Sequence, residues 1–176
     1  MRRWLLGVLA VVVLLVSMSA GSAVARGDGD GGNRARAVNT KGGFDMRPNK
    51  FIRSNLRFVP GTIRVHSGDE VTWRDQDNWP EPHTITVVNE DELPDTPEEV
   101  FGCFDSGPCS LAGGHFATDP PTPVLNEGAP GLDTRGDSLF LEDGGEISAT
   151  VSASPGTTLH YLCAIHAWMQ GRIKVN

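Results

Sequence analysis

Toward its end the chain reads Leu159-His160-Tyr161-Leu162-Cys163-Ala164-Ile165-His166-Ala167-Trp168-Met169-Gln170-Gly171-Arg172-Ile173-Lys174-Val175. Leu159, Tyr161 and Cys163 alternate with His160 and Leu162, and Ile173 and Val175 alternate with Arg172 and Lys174. A period of two sends every second side chain to one face of a sheet, so both flanks predict strands with one face buried. The residues between them break the alternation. They read as a short loop that carries a thiol, an imidazole and a thioether at the spacing C-x2-H-x2-M.

The same alternation recurs upstream. Leu56 and Phe58 flank Arg57; Ile63 and Val65 alternate with Arg64 and His66; Val71 and Trp73 flank Thr72. His83, Ile85 and Val87 alternate with Thr84 and Thr86, and Ile147, Ala149 and Val151 share one parity. Half-buried antiparallel strands give this pattern, with turns at Pro60-Gly61 and Ser67-Gly68-Asp69. No long amphipathic helix is legible. The expected fold class is all-β, a β-sandwich of about seven or eight short strands. Residues 89–146 interrupt it with 58 residues that hold 7 of the 12 prolines and 9 glycines. That is too long for a hairpin connection and predicts a decorated loop insertion.

The 176 residues are 39% hydrophobic and 21% charged, which suits one domain with one core. With 15 Lys and Arg against 22 Asp and Glu, the chain lacks the basic surface that neutralises phosphates, and nucleic acid is excluded as a partner. Arg2-Arg3, the apolar run Trp4–Val16 and Ala23-Val24-Ala25 predict a signal peptide over residues 1–25, cleaved after Ala25. A retained anchor is the alternative, although the apolar run is short for a membrane span. Residues 26–50 are expected to be a flexible linker, since Arg26–Gly43 offers little to bury, and residues 51–176 to be the folded domain. Export means oxidising surroundings, so Cys103 and Cys109, with five residues between them, are expected to form a disulfide. Metal binding by that pair is the weaker alternative, because no histidine stands nearby at a matching spacing.

Cys163 is then the free thiol. By strand parity it shares a face with Leu159 and Tyr161, and His83 shares one with Ile85 and Val87, so both point into the sandwich at strand ends. The loop that follows Cys163 can curl over and bring His166 and Met169 to the same place. Taken singly, His83 reads as a core histidine, Cys163 as an inert buried thiol and Met169 as packing. Together they are a soft, mixed donor set. One thiolate and two imidazoles in a trigonal array, with a weak axial thioether, is the blue-copper arrangement for electron transfer. Zinc gains little from a thioether, and iron–sulfur clusters need more cysteines. His66 and His160 fall on outward-facing positions, and His115 reads as polar loop surface. Asp75, Asp77 and Glu81 read as acidic turn residues before His83.

The segments Phe58-Val59-Pro60, Gly68-Asp69-Glu70-Val71-Thr72-Trp73, Pro82-His83-Thr84-Ile85-Thr86 and Tyr161–Val175 resemble, in that order, the cupredoxin family of small type 1 copper proteins that includes plastocyanin and amicyanin. The resemblance covers about residues 51–88 and 145–176, and the short spacing from His166 to Met169 is most similar to amicyanin. It implies a Greek-key sandwich, one type 1 copper ion on His83, Cys163 and His166 with Met169 axial, and one-electron transfer between redox protein partners. Plastocyanin-like members often carry Asn after the first ligand histidine, where its amide ties the ligand loops together; here Thr84 stands instead. The acidic insertion has no counterpart in those small carriers.

The function expected is therefore an exported Cu(II)/Cu(I) electron carrier, periplasmic, cell-surface or extracellular, monomeric, and not an enzyme. The 17 acidic residues against a single basic one between positions 75 and 146 suit a partner with a positively charged docking surface. The alternative is a copper-binding protein for trafficking or sequestration. A copper oxidase or nitrite reductase would need a second centre with further histidines, and His66, His115 and His160 are scattered.

Overall fold

Alternation becomes strand where the sequence shows it, and five further strands form where it does not. The computed structural model describes residues 36–176; the expected signal peptide lies outside them. One sheet has four strands in the order β10-β6-β1-β4: β1 (Arg36–Lys41), β4 (Arg57–Val59), β6 (Glu70–Arg74) and β10 (Glu146–Thr150). The other has six in the order β5-β12-β11-β7-β9-β8. Its members are β5 (Thr62–Val65), β7 (His83–Val88), β8 (Val124–Leu125), β9 (Ser138–Leu141), β11 (Thr158–Leu162) and β12 (Gln170–Val175). A hairpin of β2 (Phe44–Arg47) and β3 (Phe51–Ser54) stands apart from both.

The sheets pack face to face on the side chains that the alternation singles out. Val71 and Trp73 from one sheet and Ile63, Val65, Ile85, Leu159, Tyr161 and Ile173 from the other share a single buried cluster. Trp73 and Phe58 meet the ring of Tyr161 edge-on across the interface, at centroid distances of 6.0 and 5.0 Å, a geometry that adds to the burial of area. Tyr161 lies opposite Gly171 on β12. A Cβ at that position would fall 2.3 Å from the tyrosine ring, so only glycine leaves room for it.

Three sequence expectations are corrected. The linker assigned to residues 26–50 ends earlier: β1 sits inside the four-stranded sheet, between β6 and β4, with Val38 fully buried, and β2 follows it. The strands are not all antiparallel, since β1 runs parallel to β6 and β5 parallel to β12. The insertion is more than loop. It contains β9, paired with β7 and integral to the sheet, and helix α1 (Pro97–Ser106), which opens on a capping box from Thr96 to Glu99 with Pro97 at its first position. A 3₁₀ segment, Pro108–Ala117, follows. Cys103 and Cys109 form the expected disulfide between these two pieces.

The helical layer covers the outer face of the six-stranded sheet. A second buried cluster joins Cys103, Cys109 and Ala112 of the insertion to Val88 and Leu162 of the sheet and to Ala164 and Ala167 of the loop after Cys163. All six residues of β7 are consequently buried. Its inner side faces the sandwich core and its outer side faces the insertion.

Candidate metal centre

Cys163 follows directly on β11, and the loop it opens is closed across its base. Its N–H donates to the Met169 carbonyl at 2.9 Å, and the Met169 N–H donates to the His166 carbonyl at 2.7 Å. The chain then enters β12, which is why so short a spacing can return three donor-bearing residues to one end of the sandwich. His83 arrives from the other direction as the first residue of β7. Its approach loop is tied down by Asp75, whose carboxylate accepts from the Thr40 hydroxyl of β1, from the Gly144 N–H and from the Asp77 N–H. The strand missing from the sequence reading thus anchors the loop that presents His83.

The structure brings His83, Cys163 and His166 together. Sγ of Cys163 is 3.7 Å from Nδ1 of each histidine, and the two Nδ1 atoms are 3.3 Å apart. A point equidistant from the three atoms lies about 2.1 Å from each, the length of a metal–imidazole bond and slightly less than a metal–thiolate bond. Cys163, His83 and Met169 are 0% exposed and His166 is 4% exposed. Met169 belongs to the same buried cluster as Cys163.

The outward nitrogens fix how the rings face. Nε2 of His83 is 2.8 Å from the buried Asp77 carboxylate, and Nε2 of His166 is 3.1 Å from that of Glu81. A carboxylate only accepts, so each Nε2 carries the proton and each Nδ1 turns a lone pair toward the shared point. This is the carboxylate–histidine pairing that orients metal-binding imidazoles. Burial pushes the Cys163 thiol up to about 11, against the opposing pull of the Thr84 N–H and neighbouring amides. A bound cation would therefore have to displace a proton from it. His166 is held below the ordinary histidine value, first by burial and then by the neighbouring His83, with Glu81 pulling the other way.

Asp77 and Glu81 were read from sequence as turn residues, and their roles toward the histidines were missed. Their nearness to His83 in sequence was the available signal. Asp75, Asp77 and His83 also cluster, but the oxygens of both carboxylates are engaged by donors: Asp77 accepts from the Trp79 N–H through one oxygen and from His83 through the other. Thr84 bonds to both the sulfur of Cys163 and the loop that follows it. Its N–H donates to Cys163 Sγ at 3.4 Å, and its hydroxyl oxygen accepts from the Ala164 N–H at 2.7 Å. The two ligand segments are tied by this hydroxyl.

His66 is exposed and His160 is partly buried, 3.8 Å from Glu90; neither reaches the centre. His115 departs from the expected polar surface. It is 0% exposed, held between the insertion and the outer face of the sheet.

No protein-family model and no curated protein matches the chain. Among solved structures it is similar to a purple cupredoxin from Nitrosopumilus maritimus, at 14% identity over 80% of this chain and 99% of that one, with a TM-score of 0.44. It is similar to an auracyanin from Roseiflexus castenholzii at 17% identity over 68% and 87% of the two chains, with a TM-score of 0.40. Amicyanin from Paracoccus versutus gives 11% identity over 81% and 82%, with a TM-score of 0.39. Independently of these neighbours, one buried thiol and two inward-facing imidazoles, with a buried thioether on the same loop, fit a single type 1 copper ion.

Proposed function

We propose that the chain is an exported one-electron carrier in which His83, Cys163, His166 and Met169 would hold one type 1 copper ion. The observation that carries this is the triangle of two Nδ1 atoms and one Sγ, closed to metal-bond dimensions and shielded from water. Copper bound there would supply a Cu(II)/Cu(I) couple. The chain contributes rigidity. Asp77 and Glu81 fix both imidazoles, the Cys163–Met169 hydrogen bond closes the ligand loop, and Thr84 ties that loop to β7, so little has to rearrange when the charge at the centre changes.

The His166 ring, edge-on to the exposed Trp168 at 5.4 Å, is the route outward to a redox protein partner. Glu81 caps its Nε2 edge, and the acidic excess of residues 75–146 favours a positively charged docking surface on that partner. No substrate turnover is assigned. Among the described residues no helix is long and apolar enough to cross a membrane, and the carrier is assigned to the periplasm, cell surface or extracellular space as a monomer.

Copper trafficking is the other reading, and the burial of all four donors argues against it, because delivery requires an open site. The test is a potentiometric titration of the copper-loaded protein beside a competition with a copper chelator. A reversible one-electron couple with slow metal loss supports the carrier. Rapid surrender of copper without a reversible couple supports trafficking. Met169→Leu should keep copper bound and raise the potential, since a weak thioether donor would favour Cu(II); an unchanged potential would remove Met169 from the site.

A further inference from the structure

A line of buried polar groups runs from the insertion to the loop after Cys163. Nε2 of His115 is 2.8 Å from Ser138 Oγ on β9, Ser138 Oγ is 2.8 Å from Thr86 Oγ1, and Thr86 Oγ1 is 3.0 Å from Thr84 Oγ1. Thr84 Oγ1 accepts from the Ala164 N–H at 2.7 Å. His115, Ser138, Thr86 and Thr84 are all 0% exposed.

The direction of every proton follows from one end. Nδ1 of His115 faces the Thr122 carbonyl, which only accepts, so Nδ1 carries the proton and Nε2 presents a lone pair. Ser138 must give its single proton to Nε2 and therefore accepts from Thr86. Thr86 has then spent its proton and accepts from Thr84. Thr84, a donor toward Thr86, is left with its lone pairs for the Ala164 N–H. Burial holds the imidazole below its ordinary value and so in the neutral form this order requires.

We propose that His115 is a positioning residue for the metal centre, acting through the Ser138–Thr86–Thr84 hydroxyl chain to fix the Ala164 amide and the turn that presents Cys163. Without an acceptor at His115 one hydroxyl proton in the chain has no partner. Reversing the three hydroxyls only moves that orphan to Thr84, whose own N–H bonds the Cys163 sulfur. The insertion therefore acts on the centre from its outer side, through hydrogen bonds that no ligand histidine makes. Its consequence for copper rests on the function proposed above; the chain of hydrogen bonds does not.

The test is amide hydrogen exchange in the metal-free protein, followed by NMR. His115→Phe keeps an aromatic ring beside Phe116 and Phe140 and removes the acceptor. Ala164 should exchange at least about tenfold faster, while Arg172 and Asn176, bonded to Gly61 and Val65 on the far edge of the sheet, keep their rates. His115→Gln, whose carboxamide oxygen can accept from Ser138, should restore most of the protection. Ser138→Ala breaks the same chain one link nearer and should reproduce the acceleration, so it decides the matter if His115→Phe does not fold. In the copper-loaded protein both variants should shift the potential in one direction, and the double variant no further than either alone. Wild-type exchange at Ala164 in Ser138→Ala, or in folded His115→Phe, would overturn the proposal. Failure to bind copper would instead overturn the carrier reading and leave the exchange result standing.

Discussion

On the inner side of β7, Ile85 and Val87 join the apolar core between the sheets, with His83 at the end of the row; on the outer side, Thr84 and Thr86 join a hydrogen-bonded layer beneath the insertion. Both sides are closed to water, by different means. The inner side is stabilised by apolar area, and the metal-binding donors converge at its strand end. The outer side holds three hydroxyls and an imidazole, and is tolerable only because each finds a partner. A strand buried on both faces can thus position the same centre twice, by packing from inside and by directed hydrogen bonds from outside.

The largest effect expected from breaking this contrast is on the inner side. Ile85→Ala removes a fully buried side chain and should destabilise the metal-free protein by about 2–5 kcal/mol in urea unfolding; a loss well under 1 kcal/mol would mean that the inner side is not closely packed. Next is Asp77→Ala, which frees the His83 ring. Copper affinity should drop by about 10- to 100-fold in competition with a chelator, and an unchanged affinity would show that the carboxylate does not orient the ligand. On the outer side, Thr86→Val preserves shape but leaves the Thr84 hydroxyl without its acceptor, at a cost of about 1–3 kcal/mol. Colour should survive this change, and a colourless Thr86→Val protein would erase the distinction between the two sides.

The smallest effect is a pH dependence of the outer side. Burial lowers the His115 value in the folded chain, so the unfolded chain binds the extra proton between that lowered value and the ordinary one near ~6.5. The stability of the neutral form is present above ~6.5 and is lost as pH falls through that window. Part of the decline in unfolding midpoint on going to acid should be missing in His115→Gln. Identical declines would show that the folded chain does not exclude the proton.

How legible each side was follows from its physics. The inner side announces itself by alternation: Ile63 and Val65, Val71 and Trp73, Ile85 and Val87, Leu159 and Tyr161 all fall where parity places them, and Cys163 and His83 follow that parity to the strand ends. The outer side does not. β9 reads Ser138-Leu139-Phe140-Leu141 and is buried at every position, so no alternation marks it. β1, Arg36-Ala37-Val38-Asn39-Thr40-Lys41, has one large apolar residue and depends on long-range pairing with β6 and β4. His115 gave no local sign of burial, because Ser138, the partner of its Nε2, belongs to a strand that only the fold brings near. The Thr96–Glu99 capping box that starts α1 was legible and went unread.

The most direct test is to add Cu(II) to the metal-free protein and to its Cys163→Ser variant, and to record visible absorption and paramagnetic resonance. The wild-type protein should take up one copper ion with an intense visible band and a narrow hyperfine splitting, both lost in Cys163→Ser, because the hydroxyl cannot replace the thiolate–copper bond. A wild-type protein that stays colourless with copper bound, or a Cys163→Ser protein that keeps the band, would contradict a type 1 centre at this site.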